Sequence, residues 1–335
     1  MVTIRDVAKL AGVSSATVSR VLNNNYAVSD ERREKVMRAV EELGYRPNII
    51  GRNLSRNENR TILVVSSHID SHMMRGAYYA ATALGYDLIL SFAPDGYTED
   101  ALKYYENGLA GGIILINFNE SDEQIVNICK KYPVVQCAEY IDFPGSCHVS
   151  IDDTQATCQM TEMLIKRGRK RLAFMAPGNS RQGITVGYAE QREKGFREAL
   201  RRHNIVPNPD FIARLHPNSY EAGAKQMRSW LTLPPEERPD AVVCAQDLLG
   251  AACVSVITHA GIDVPRQIAV TGYDNLMYSG MCIPKLTTVA QPFYEMGAES
   301  VRMLVKRMTG AENFERTVYL HHDIILRGST EEGLE

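Results

Sequence analysis

The sequence predicts an α/β protein, a two-lobed body of parallel sheets preceded by a small all-α head. Three observations predict it. Three short helical units fill the first 45 residues, apolar runs alternate with helical stretches from Thr61 onward, and charge divides between the two regions. Residues 1–60 hold 11 Lys and Arg against 7 Asp and Glu, net +4, whereas residues 61–335 hold 26 against 33, net −7. A basic head on an acidic body points to nucleic acid for the head alone. The 335 residues are 44% hydrophobic and 23% charged with a mean hydropathy of −0.22, a globular composition that excludes disorder, collagen and coiled-coil rods.

In the head, Ile4, Val7, Ala8, Leu10 and Ala11 mark one apolar face at helical spacing, and Gly12-Val13 interrupts it. Ser14 then offers an N-cap to a second helix that buries Val18, Val21 and Leu22. After Asn23-Asn24-Asn25, Ser29 can cap a third helix with Val36, Val40 and Leu43 on one face and Gly44 at its end. The head is therefore expected over residues 1–45. Residues 46–60, with four Arg and four Asn, read as a linker that holds two helical turns at most, too short to fold without a partner.

The body, residues 61–330, runs TILVVSS, then a helix through RGAYYAATALGY; DLILSF, then EDALKYYENGLA; GIILIN, then DEQIVNICKKY; and PVVQCAEY. The rhythm resumes with RLAFMA, a helix around 190–204, FIARL, a helix around 220–231, AVVCAQ, 248–260, QIAVTGY and a helix around 294–308. Such alternation means parallel strands covered by helices, and roughly 270 residues suit two lobes. The expected division is 61–159 with 291–317, and 160–290 with 318–330. Ligands gather beyond the carboxyl ends of such strands, here Ser66-Ser67-His68, Ser91-Phe92, Asn117, Ala176-Pro177, Gln246-Asp247 and Tyr273-Asp274.

The longest uncharged stretches, 107–119 and 248–262, fall short of the roughly 18–20 apolar residues that span a bilayer, so no membrane is expected. The start, Met1-Val2-Thr3-Ile4-Arg5-Asp6, lacks the order of a signal peptide, which predicts a cytoplasmic protein. Seven cysteines, never closer than eight apart in apolar surroundings, read as reduced core thiols. Gly178 and Gly183 have the spacing of a phosphate loop but lack its lysine, and no catalytic motif stands elsewhere. No enzyme activity and no cofactor are expected.

The string TIRDVAKLAGVSSATVSRVLNN resembles the helix-turn-helix of the lactose-repressor (LacI/GalR) family of bacterial transcription regulators, and VSDERREKVMRAVEELGYRPN resembles the third helix and hinge entrance of that family. The likeness continues through RGAYYAATALGYDLIL, IDDTQATCQMTEMLIKRGRKRLAFMAPG, QREKGFREAL, PDAVVCAQDLLGAACVSVITHAGIDVPRQIAVTGYDN and PKLTTVAQPFYEMG in the expected order. A helix opening at Ser14 turns Ser15, Ala16, Thr17 and Arg20 outward, and Ser15, Ala16 and Arg20 are expected to read base edges in the major groove. The resemblance places phosphate contacts at Thr3, Ser14, Thr17, Ser19, Asn23 and Tyr45. It also sets Asn48, Arg52 and Leu54 in a minor-groove hinge, Leu54 as the wedge, although Gly51 stands where the family usually has alanine.

The body resembles periplasmic sugar-binding proteins, as the family's effector domains do. That resemblance implies a cleft of Asp153, Arg192, Tyr220, Gln246, Asp247, Asp274, Gln291 and Phe293, with Gln246 in place of the more usual asparagine. Carboxylates and a guanidinium suit vicinal hydroxyls, and an aromatic face suits the apolar side of a sugar ring. The first cleft loop, SSHIDSHMM, is shorter than the family's and puts His68 and Asp70 on that wall. His68, Asp70 and His72 lack a fourth ligand, so no metal is expected. The whole implies a homodimeric repressor of a carbohydrate-utilisation operon, bound to pseudo-palindromic double-stranded operator DNA and released by a small-molecule effector, a sugar. The same fold also serves regulators activated by a co-repressor, a purine or a phosphoprotein, and the sequence leaves that alternative open. A plain solute-binding protein would share the body but not the head.

Overall fold

The computed structural model describes residues 2–22, 28–45, 59–68, 70–93, 98–116, 122–178 and 187–333, in two compact units, Met1–Arg60 and Thr61–Glu335. The first unit holds helices α1 (Ile4–Ala11), α2 (Ser15–Leu22) and α3 (Asp30–Glu42). The Thr3 backbone N–H and hydroxyl both donate to Asp6 Oδ2, at 2.8 and 2.7 Å, which fixes where α1 begins. Gly12 ends it at φ +65°, a left-handed turn that lets the Val13 N–H reach back to the Ala8 carbonyl at 3.0 Å. The three helices close on Val7, Ala8, Ala11, Val18, Val21, Val36 and Ala39. Leu10, expected on the apolar face, is 46% exposed instead. Three residues on from Val7, it lies about 100° from the mean direction of Val7, Ala8 and Ala11, outside the buried stripe.

Among the described residues the second unit contains two six-stranded sheets. The first lobe carries β1 (Thr61–Ser66), α4 (Ser71–Ala83), β2 (Asp87–Phe92), α5 (Thr98–Glu106), β3 (Gly112–Ile116), α6 (Asp122–Lys131), β4 (Val134–Cys137) and β5 (His148–Ser150). The second carries α7 (Asp153–Lys166), β6 (Leu172–Pro177), α8 (Gly187–Arg202), β7 (Ile212–Leu215), α9 (Tyr220–Leu231), β8 (Ala241–Cys244), α10 (Asp247–His259), β9 (Ala269–Asp274), α11 (Met277–Met281) and β10 (Thr287–Ala290). The chain then returns to the first lobe as α12 (Phe293–Met308) and β11 (Thr317–Tyr319), and ends its sheets with β12 (Asp323–Ile325) in the second. The strand orders are β11-β5-β4-β3-β1-β2 and β12-β10-β9-β8-β6-β7. Among the described residues every pairing is parallel except β12 against β10.

Two lobe boundaries move from their expected places. The division at 159/160 would cut α7, but Ala156 and Met160 pack with Tyr273 and Val289 of the second lobe, and Leu164 with Phe174 and Phe196. The crossing therefore precedes Asp153. The division at 317/318 would cut β11, whose Thr317, Val318 and Tyr319 pair with His148, Val149 and Ser150 of the first sheet. Glycines set the closest helix pairs: a Cβ on Gly297 would lie 2.1 Å from the Met73 carbonyl oxygen, and one on Gly195 2.2 Å from that of Thr154. Six cysteines are buried and free, while Cys282 is half-buried. Among the described residues no helix is long and apolar enough to cross a membrane.

Candidate nucleic-acid interface and effector cleft

On α2 the buried residues are Val18 and Val21, so the opposite face is turned out. Ala16 and Arg20 are exposed, and Ser15, Thr17 and Ser19 half-buried. Ser14 acts as the expected N-cap: its Oγ accepts the Thr17 N–H at 3.1 Å and lies 2.9 Å from the Thr17 hydroxyl. Thr3 stays exposed beside Asp6, whose carboxyl is held below the usual range by the Thr3 hydroxyl and N–H. Tyr45 packs half-buried against the head core. Asn23, Asn48, Gly51, Arg52 and Leu54 lie outside the described residues.

In the body, the expected polar groups converge on Arg192 of α8, which is 4% exposed. Its Nε donates to Asp153 Oδ1 at 2.7 Å and its Nη1 to the Ala245 carbonyl at 2.5 Å, with Asp274 Oδ1 at 3.4 Å from Nη1. Gln291 Nε2 donates to the same Asp274 oxygen at 2.7 Å. The guanidinium lies over two aromatic faces, 3.6 Å from the Tyr273 ring centre and 4.8 Å from that of Tyr188. Burial disfavours the Arg192 cation, yet the neighbouring Asp153 and Asp274 carboxylates raise its pKa above the ordinary value. Burial raises the Asp274 pKa against the pull of Arg192 and Gln291. Asp274 and Asn275 take φ of +100° and +57°, a conformation unfavourable for residues with a Cβ and frequent where a side chain must be aimed at a ligand.

Asp247 is a correction to the expected ligand set. It is 0% exposed, and its carboxylate accepts the Leu276 N–H and the Thr288 hydroxyl, both at 2.6 Å. Burial and the Asp274 charge push its pKa up to about 7. Asp247 thus anchors the turn that carries Asp274 and has no face toward a ligand. Asp70 likewise works for the fold, capping α4 by accepting the Met73 N–H at 2.8 Å. Phe293 packs, half-buried, against the first-lobe core. Gln246 bridges Tyr188 and Asn218: its Nε2 donates to the Tyr188 hydroxyl at 2.9 Å, and its Oε1 accepts from Asn218 Nδ2 at 2.7 Å. Tyr220 is 37% exposed at the start of α9, and His68 and His72 are exposed. Among the described residues no three His, Cys, Asp or Glu side chains gather as for a metal ion.

Tyr188 and Asn218 are the residues that sequence reasoning missed, and Tyr273, named there only as a strand end, supplies the ring beneath Arg192. Tyr188 precedes Arg192 by one helical turn, a spacing that places both on one face of α8 and was available in the sequence. The cluster of Asp153, Arg192 and Asp274 carries a formal charge of −1, with two carboxylates to accept from hydroxyls and a guanidinium to donate to them.

Comparisons with known proteins cover both units. The profile described as "Bacterial regulatory proteins, lacI family" matches residues 3–48, and "Periplasmic binding protein-like domain" matches residues 161–330. Over 98% of its length the chain is 32% identical to the HTH-type transcriptional repressor CytR of Escherichia coli (strain K12), and it covers 96% of that protein. It is similar to the solved transcriptional regulator CelR–cellobiose complex, with 30% identity and a TM-score of 0.70 over 98% of this chain and all of that one (100%). It is also similar to the lac repressor dimer bound to operator and the anti-inducer ONPF, with 27% identity and a TM-score of 0.83 over 98% and 99% of the two chains.

Proposed function

The chain belongs to the lacI family of bacterial regulatory proteins, and from that premise we propose that it is a homodimeric repressor of a carbohydrate operon, released from operator DNA by a sugar. It is a regulator and not an enzyme. The observation that carries the reading is α2: a capped helix whose core side is closed and whose outer side offers Ser15, Ala16 and Arg20. Those side chains read base edges, while Thr3, Ser14, Thr17, Ser19, Asn23 and Tyr45 hold phosphates. Residues 46–60 form the hinge, in which Asn48, Arg52 and Leu54 enter the minor groove. The operator held by the lac repressor dimer supports both the DNA and the two-fold partner. A dimer doubles the contacts that one small module makes and matches a pseudo-palindromic site. The protein acts in the compartment that holds the chromosome.

For the effector, the cellobiose of the CelR complex and the Arg192 cluster both support a sugar. A net negative cluster favours a neutral polyol over a sugar phosphate or nucleotide, and with the cellobiose of the CelR complex it weighs for the sugar reading over the co-repressor one. Control follows from population shift: the sugar binds one relation of the two lobes more tightly, and only that difference in affinity can lower the affinity for operator.

The test is a thermal-shift screen of the purified protein against neutral monosaccharides and disaccharides, sugar phosphates and purines, each hit repeated in an operator-binding assay. A ligand at about 100 times its Kd stabilises the fold by about 2.7 kcal/mol, a readily measured shift. A neutral sugar that stabilises the protein and releases operator is the expected result. A purine or phosphate that tightens operator binding would replace it with the co-repressor mechanism.

A further inference from the structure

We infer that Glu139 is a positioning residue for the effector: reaching from the first lobe, it holds the N-terminus of α8 and through that helix fixes Arg192. The inference rests on the reading of the cleft as a sugar site. Glu139 follows β4, is 5% exposed, and its Oε1 accepts the backbone N–H of Gly187, the first residue of α8, at 3.1 Å. The first N–H groups of a helix have no acceptor within the helix, and its positive end favours a carboxylate there. Here the carboxylate comes from the opposite lobe.

The backbone is shaped to deliver it. Ala138 stands at φ +68°, unusual for a residue with a Cβ, and three hydrogen bonds keep it there. The Ala138 N–H donates to the Val149 carbonyl at 3.0 Å, the Ser150 hydroxyl to the Ala138 carbonyl at 2.8 Å, and the Glu139 N–H to the Cys137 carbonyl at 2.9 Å. Such conformations persist only where the surroundings over-determine them, and they gather at ligand clamps and switches. On the other side, Gly187 is followed by Tyr188 and then Arg192, whose partners Asp153, Ala245 and Asp274 all belong to the second lobe. Glu139 is therefore where the first lobe grips the helix that supplies the cleft's cation.

The contact is open to substitution. A Cβ on Gly187 would meet the Tyr140 carbonyl oxygen at 3.6 Å and Glu139 Oε1 at 3.7 Å, ordinary distances, and proline is accepted at the first helical position, where its Cδ replaces the N–H hydrogen and turns the Glu139 carboxylate away. The experiment compares the full-length parent with Glu139→Ala, Glu139→Gln, Gly187→Pro and Gly187→Pro/Glu139→Ala. Backbone amide exchange is read without sugar, and the Kd of the sugar identified by the screen is read by calorimetry. Glu139→Ala is expected to speed exchange at residues 187–190 by about tenfold, with α9 unchanged. It should also raise the sugar Kd by about tenfold. Glu139→Gln keeps an oxygen at the same reach and should restore most of both. In the Gly187→Pro background the loss of Glu139 should cost clearly less than it does in the parent, since the bond the two changes share is already broken. The inference is overturned by parent-like sugar affinity in Glu139→Ala, by faster exchange spread evenly over the second lobe, or by additive losses in the double variant. Because exchange needs no sugar, failure of this contact and failure of the sugar reading are separate outcomes.

Discussion

Arg20 is the exposed cation on the outer face of α2, and a guanidinium there can pair bidentately with a guanine edge. Arg20→Ala should cost about 1–3 kcal/mol on the cognate operator and relax specificity at one base pair, measured by anisotropy on an operator series. An equal loss on every sequence would assign Arg20 to the phosphates instead. In the cleft, Asp274→Ala should abolish sugar release in the operator assay while operator affinity without sugar stays unchanged, because Asp274 meets Arg192 and Gln291 and lies apart from the head's sequence. His148 adds a pH dependence. It is 0% exposed, stacked 3.9 Å over the Tyr140 ring, and neither ring nitrogen has a partner among the described residues. Burial lowers its pKa, against a weaker opposing pull from Asp142. As pH falls through the ordinary histidine value of about 6.5, the unfolded chain takes a proton that the folded chain refuses, so stability drops. His148→Phe should lose that acid-side drop, as read by urea unfolding above and below that value; an unchanged pH profile would mean the buried ring is protonated in the fold.

At the scale of elements, local caps and close helix contacts decide where the sequence pattern becomes structure. Ser14→Ala removes the acceptor for the Thr17 N–H and should destabilise the head by about 1 kcal/mol, read as an earlier thermal transition of residues 1–60 expressed within the full chain. The α4–α12 pair depends on Gly297, where a Cβ would sit 2.1 Å from the Met73 carbonyl oxygen. Gly297→Ala must push two helices apart and should cost about 1–3 kcal/mol in denaturant unfolding of the body. A smaller effect would show that the pair slides to accommodate a methyl group.

For the whole molecule, the proposed dimer needs a surface. Met277, Met281 and Ile283, on and just after α11, are 64%, 67% and 85% exposed, with Tyr278 at 40% beside them. Exposed apolar residues this close together in the chain suit contact with a second copy. Ile283→Glu should shift sedimentation toward a monomer and lower operator affinity steeply, because each head then acts alone. A dimer that survives this change would place the two-fold contact on the first lobe, where Leu90 and Phe92 of the edge strand β2 are 45% and 56% exposed.

What the sequence determined by itself was periodic or local. The apolar spacing of Val18 and Val21 settled which face of α2 is turned out, Ser14 announced its cap, and unbroken runs such as TILVVS and GIILI declared strands buried on both faces. The order of QREKGF and GYDN was enough to bring Arg192 and Asp274 into one cleft through resemblance. Tertiary structure alone decided how the side chains are used. Asp247 and Asp274 lie at adjoining strand ends and look alike in sequence, yet one is consumed by the Leu276 N–H and the Thr288 hydroxyl while the other meets Arg192. The lobe boundary before α7 and the grip of Glu139 on Gly187 were equally hidden. Periodicity reports the burial of a face, whereas partnership between groups 29 to 48 residues apart depends on distances that only the packed chain defines.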